Sequence, residues 1–139
     1  MYRDRDIDKV ATTVVDAAVK LHMRLGPGLL ESVYETLLAQ ELMRRGLRVA
    51  RQKPVEFELD GTRFDDGLRL DLLVEEQVVI ELKSVDRLAP IHSKQLLTYL
   101  RLTGLELGLL INFGAYTLRD GLQRIVNNYQ PRTAGDSPF

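Results

Sequence analysis

Cysteine is absent from the 139-residue chain, which excludes disulfides and thiolate-bound metals and suits a reducing compartment, so a cytoplasmic location is expected. Tryptophan is also absent, and only 6% of residues are aromatic. An extended base-stacking platform is therefore not suggested. Neither sign of charge dominates, with 19 Lys plus Arg against 20 Asp plus Glu. A globally basic nucleic-acid-binding domain is excluded, and any phosphate-attracting surface must be local. No apolar run approaches the roughly 20 residues needed to span a bilayer, and Met1 to Val10 is charged rather than apolar. A soluble, unprocessed chain without a membrane partner is expected. What is present is a hydrophobic content of 45%, enough for the core of one compact domain.

From Asp6 to about Arg24, Ile7, Val10, Val14, Ala17, Ala18 and Leu21 recur at helical spacing. Gly26-Pro27-Gly28 breaks that helix, and a second is predicted from about Leu29 to Arg45, stopped by Gly46. The two should pack together. The period then changes to alternation, with strands around Leu47 to Arg51 and Val55 to Leu59. Asp60-Gly61 signals a hairpin. The chain returns through Thr62 to Phe64, passes Asp65-Asp66-Gly67, and continues as the strand Leu68 to Val74. After a turn at Glu75 to Gln77 comes the strand Val78 to Lys83. Both long strands are apolar on both faces and should be central. Pro90 suits the first turn of a third helix to about Thr103, ended by Gly104. Leu107 to Phe113 reads as a buried strand, and Leu118 to Val126 as either a short helix or an edge strand. The expected architecture is α/β, a mixed sheet flanked by helices, in a single domain over residues 1–129. Gln130 to Phe139, rich in Pro, Gly, Ser and Thr, is expected to form a flexible tail.

A turn centred on Glu76 sets Asp71 opposite Glu81, with Cβ atoms about 5 Å apart on one face of the sheet. Lys83, two residues on, shares that face. Opposed carboxylates repel and are costly to desolvate, so a compensating cation is expected among these aliphatic neighbours. Two carboxylates, with a backbone carbonyl such as that of Leu82, suit a hard ion such as Mg²⁺, or Mn²⁺ in its place. Lys83 can orient an attacking water or stabilise developing charge. The plainer alternative is that Lys83 merely ion-pairs with Asp71 or Glu81 at the end of a sheet.

The spacing of Asp71 and Glu81-Leu82-Lys83 resembles the core of the PD-(D/E)XK nuclease superfamily, although Leu70 stands where that pattern names proline. Gly28-Leu29-Leu30-Glu31-Ser32-Val33-Tyr34 resembles the motif of the GxxExxY family, a branch of that superfamily. Leu25-Gly26-Pro27-Gly28, Gln95-Leu96-Leu97-Thr98-Tyr99-Leu100 and Leu110-Ile111-Asn112-Phe113-Gly114 are similar to further familial stretches, over roughly residues 7 to 128. The resemblance implies a restriction-endonuclease-like core and metal-dependent hydrolysis of phosphodiester bonds in DNA or RNA. It implies Glu31 as a third metal-supporting acid, with Glu35 one helical turn further along as a weaker candidate. It also implies Gln95 at a metal water or phosphate and Tyr99 at the nucleic-acid backbone. Without the resemblance, Glu31 reads as an acid stabilising a helix N-terminus, Tyr99 as a core aromatic and Gln95 as a surface amide.

His22, before the glycine turn, resembles a familial histidine, but a lone histidine near a helix end reads more readily as a structural one. His92 has no assigned role. Arg44, Arg45, Arg48, Arg51 and Lys53 form a basic run, taken as a solvated face rather than a phosphate-attracting edge. Small nucleases that cut both strands often dimerise, which makes a homodimer an expectation of the same kind. The rival readings are a catalytically silent module of the same fold that binds nucleic acid or protein, and a phosphodiesterase acting on small phosphate esters. Fold alone does not decide among them.

Overall fold

The side chain of Asp6 accepts hydrogen bonds from the backbone amides of Asp8 and Lys9 and starts α1, Ile7–Leu25. In the computed structural model, which describes residues 6–128, α1 is followed by α2 (Glu31–Arg44), β1 (Val49–Leu59), β2 (Thr62–Val74), β3 (Val78–Lys83), α3 (Pro90–Thr103), β4 (Leu107–Asn112) and β5 (Leu122–Val126). The tail expected over residues 130–139 lies outside the described residues. Among those described, the strands form one sheet in the order β1-β2-β3-β4-β5. All neighbours are antiparallel except β3 and β4, which are parallel. The mixed sheet flanked by helices is the expected α/β architecture.

The three helices fall within about two residues of their sequence limits. α2 starts at Glu31 rather than Leu29, because Leu30 is extended (ψ 150°) and serves as its N-cap. The segment from Leu118 to Val126 resolves into a short 3₁₀ turn, Arg119–Gly121, followed by an edge strand. The two strand fragments expected at Leu47 to Arg51 and Val55 to Leu59 are one strand. Pro54 lies within it, paired with Arg69 of β2 at the edge of the sheet, where a missing N–H is tolerated. β2 is likewise continuous, and its Asp65-Asp66-Gly67 stretch is a bulge across which the register with β1 shifts. A Cβ at Gly67 would meet the Phe57 ring, so a larger residue there requires that ring to move.

The sheet is covered on both sides. Val10, Val14, Ala18, Tyr34, Leu38 and Leu42 of α1 and α2 pack with Leu72, Val74, Ile80, Leu82, Leu109 and Ile111. On the other face, Leu96 and Leu100 of α3 pack with Leu70, Val79 and Leu110. Gly108 lets α3 approach, since an added Cβ would lie 3.0 Å from the Leu96 side chain.

Tyr34 fixes the connection between α1 and α2. Its ring is fully buried and stacks on Phe113 with centroids 4.3 Å apart. Its hydroxyl donates to the Gly26 carbonyl at 2.6 Å and accepts from the Leu29 amide at 3.2 Å. Gly28, at φ 111°, holds a conformation open mainly to glycine. The glycine and tyrosine of this stretch therefore shape and clamp one loop. Tyr34→Ala is expected to cost about 3–5 kcal/mol through the cavity it leaves, and Tyr34→Phe about 1 kcal/mol through the lost hydrogen bonds. Urea unfolding of the two variants measures both.

Candidate metal centre

β2 and β3 pair for only three steps from their turn, Val74 with Val78, Leu73 with Val79 and Leu72 with Ile80. This is the register that a turn centred on Glu76 requires. At the next step the backbone ladder stops and two side chains take its place. The Asp71 amide donates to Glu81 Oε1 at 3.1 Å, and the Leu82 amide donates to Asp71 Oδ2 at 2.9 Å. The strands separate here, with one carboxylate from each reaching into the gap.

Asp71 also marks an inversion of side-chain alternation. Leu72 and Val74 pack beneath α1 and α2, whereas Leu68 and Leu70, of the same parity, pack with α3. In a regular strand such residues share one face. β1 inverts with it, since Val49 packs on the α1/α2 side and Val55 on the α3 side. Gln52, between them, has φ 49°, a left-handed conformation costing a non-glycine residue about 1–2 kcal/mol. Pairing resumes on either side, Arg51 with Leu72 and Lys53 with Leu70. Gln52 and Asp71 face each other at the paired defect. The Gln52 amide nitrogen lies 3.3 Å from Asp71 Oδ1 and 2.5 Å from Glu35 Oε1.

Glu81 is 8% exposed, and its carboxyl is pushed up to about 8. Burial is the largest cause, followed by the charge of Asp71, while the Asp71 amide and the Lys83 charge act the other way. Without a cation, the carboxyl is therefore mostly protonated at neutral pH. Lys83 is half-buried and makes no ion pair among the described residues. The plain salt bridge that the sequence left open is not formed. The Lys83 carbonyl accepts from the Phe113 amide at 2.8 Å, which ties the end of β3 to β4.

Asn112, 1% exposed, secures the loop after Lys83. Its Oδ1 accepts from the Val85 and Gly114 amides, both at 3.0 Å, and its Nδ2 donates to the Val85 carbonyl at 2.9 Å. A Cβ on Gly114 would strike the Val85 backbone, so glycine is required at this crossing. Ser84 extends the tie by donating to the Leu29 carbonyl at 2.6 Å. Asn112→Ala strands three backbone groups and is expected to destabilise the fold by about 2–3 kcal/mol, measurable by thermal unfolding. Asn112 was visible in the sequence as the lone polar residue of an aliphatic strand. Gln52 was hidden between two strand fragments.

α3 carries Tyr99 into the field of the acid pair. The Tyr99 phenol is raised by burial and then by the charges of Glu81 and Asp71, against a lowering hydrogen bond from Gln95. Asp71, Glu81, Lys83, Gln95 and Tyr99 thus belong to one neighbourhood. Glu31 is exposed at the start of α2, and no hydrogen bond or ion pair links it to the pair. Glu35, one turn later, is buried and reaches Asp71 through Gln52. Among the described residues, no group of three or more acids, histidines or cysteines is gathered as a metal cluster. His22 is structural, with Nε2 2.9 Å from the Ala115 carbonyl, and His92 Nδ1 accepts from the Ala89 amide at the start of α3. Four residues of the basic run are ion-paired: Arg44 with Glu41, Arg45 with Asp16 and Glu41, Arg48 with Glu75, and Arg51 with Glu35. These ion pairs leave little uncompensated positive charge on the run.

The domain is thus a five-stranded α/β sheet with two acids in a strand gap and, two residues on, a lysine that makes no ion pair among the described residues. The sequence model of the PD-(D/E)XK nuclease superfamily matches residues 8–125, and the chain belongs to that superfamily. No curated protein and no solved structure matches it significantly. No described helix is long and apolar enough to cross a membrane.

Proposed function

We propose that the protein is a Mg²⁺- or Mn²⁺-dependent nuclease of the GxxExxY branch, hydrolysing phosphodiester bonds of DNA or RNA. The observation that carries this reading is the pair Asp71 and Glu81, interlocked across the β2–β3 gap with Lys83 left unpaired. The donor set fits the ion. It consists of hard oxygen ligands, two carboxylates converging on one strand gap whose mutual repulsion a divalent cation relieves. Asp71 and Glu81 would hold the cation, with Glu31 a third acid by resemblance only. When bound, such an ion polarises a phosphate oxygen and acidifies a water.

The protein's own groups do the remaining work. The Lys83 ammonium, free of a carboxylate partner among the described residues, stabilises charge developing on the phosphate or orients the water. Gln95 and Tyr99, on the facing helix, offer an amide and a phenol to a phosphate or the nucleic-acid backbone. Residues 1–129 as one domain, a cytoplasmic location and a homodimer belong to the same proposal.

Incubating purified protein with Mg²⁺ or Mn²⁺ and single- and double-stranded DNA and RNA tests the function. Cleavage is expected, with loss in the Asp71→Ala/Lys83→Ala double variant. Activity that survives both changes removes the assignment. Among the described residues no third acid is gathered with the pair, and this favours one rival, a silent module that binds nucleic acid or protein. That rival requires no divalent-cation binding and no cleavage of any substrate.

A further inference from the structure

We propose that Gln52 is a positioning residue of this centre, its amide holding Asp71 in place for the cation from a buried anchor, Glu35. The inference rests on the nuclease reading above and adds a residue that the reading does not contain.

Gln52 touches the carboxylates of both Glu35 and Asp71. Its Nε2 carries two protons, and one nitrogen lies between Glu35 Oε1 at 2.5 Å and Asp71 Oδ1 at 3.3 Å. Asp71 Oδ2 is occupied by the Leu82 amide, so Gln52 fixes the remaining oxygen and with it the rotation of the carboxylate. Glu35 is itself immobilised. Arg51 donates to its Oε2 through Nε at 3.3 Å and Nη2 at 3.1 Å, and the same Nη2 reaches Thr36 Oγ1 at 2.9 Å.

The charges divide accordingly. Arg51 neutralises Glu35, whereas the neutral Gln52 amide orients Asp71 without cancelling the charge that would attract a cation. A lysine in its place would satisfy both acids and cancel that charge. The backbone supports the same conclusion. Gln52 holds φ 49° inside an eleven-residue strand, and glutamine is not a residue such a conformation selects. What glutamine adds is reach, from the edge strand to acids on α2 and β2. Strain retained where a side chain meets a candidate centre is typical of functional positions.

Outer groups that orient a metal ligand commonly change affinity by 10- to 100-fold when replaced. The test is calorimetric titration of Mn²⁺ into the nucleic-acid-free full chain, with thermal unfolding of each metal-free variant. Gln52→Asn tolerates the left-handed backbone but is one methylene too short to bridge both acids. Gln52→Gly suits the backbone best and removes the bridge entirely. Both variants are expected to bind Mn²⁺ at least 10-fold more weakly than wild type, with Gln52→Asn melting within a few degrees of it. Should Gln52→Asn fail to fold, Gln52→Gly gives the same readout. Wild-type affinity in either folded variant overturns the role of Gln52 while leaving the nuclease reading intact. Absence of Mn²⁺ binding in wild type overturns that reading, and this inference with it.

Discussion

Lys83→Ala is expected to lower the rate of phosphodiester cleavage by about 10²- to 10³-fold, the usual loss when one preorganised charge-stabilising group is removed. Lys83 is half-buried at the end of β3, two residues beyond Glu81, and forms no ion pair among the described residues. Its ammonium is therefore available to a substrate oxygen. Because the side chain anchors nothing, the variant should unfold at nearly the wild-type temperature. It should also bind Mn²⁺ no more weakly, since the lysine competes with a cation rather than holding one. Lys83→Arg should recover little, because a planar fork does not place its charge where a compact ammonium does. Single-turnover cleavage with substrate in excess of its Kd separates the chemical step from binding. A loss confined to binding would assign Lys83 to phosphate recognition instead.

The second large effect is on stability. The Glu81 carboxyl is raised from its ordinary value of 4.5 to about 8, chiefly by burial and then by the charge of Asp71. Between those two values the folded state holds a proton that the unfolded chain has released, so stability falls as pH rises. The contribution is fully present below pH 4.5 and lost by pH 8. Its upper limit is roughly 5 kcal/mol at 1.36 kcal/mol per pKa unit, reduced by structural relaxation. Glu81→Gln keeps the shape without the charge. It should flatten the pH profile of the metal-free protein and melt higher than wild type at pH 8, yet bind Mn²⁺ poorly. Wild type should regain more melting temperature from Mn²⁺ at pH 8 than at pH 6. Unfolding scans at several pH values, with and without Mn²⁺, check both signs. A metal-free profile that is flat or rising from pH 5 to 8 would show that Glu81 does not carry the raised proton affinity.

Much of this arrangement is legible in the sequence, because its determinants are local. The glycine stops, the Asp60-Gly61 hairpin and the periods of the three helices need no tertiary information. The turn at Glu75-Glu76 places Leu72 opposite Ile80, which brings Asp71 beside Glu81. It does so although both turn residues are glutamates in left-handed conformations, φ 54° and 55°, a role local propensity does not give them. Buried Glu75 explains this, since its carboxylate accepts from both the backbone and the side chain of Arg48.

What was not legible depends on contacts between distant segments. Pairing at Asp71 is replaced by side-chain bonds, an exchange that alternation cannot foresee. The inversion at Gln52 is stabilised by Glu35 from another element, so nothing local joined the two strand fragments on either side of it. Glu31 and Glu35 lie one turn apart on α2, and both fit the same sequence logic. They share one face of the helix, but Glu31 stands at its exposed first turn, whereas Glu35 lies a turn deeper against Arg51 and Gln52 of β1. That difference is set by packing between distant segments.

Crystals soaked in Mn²⁺ offer the most direct measurement, because anomalous scattering locates the ion without reference to activity. A peak bonded to oxygens of both Asp71 and Glu81 is expected, and it should disappear in Asp71→Asn. A protein that takes up Mn²⁺ only elsewhere, or none at saturating concentration with both carboxylates ordered, would contradict the metal centre proposed for this fold.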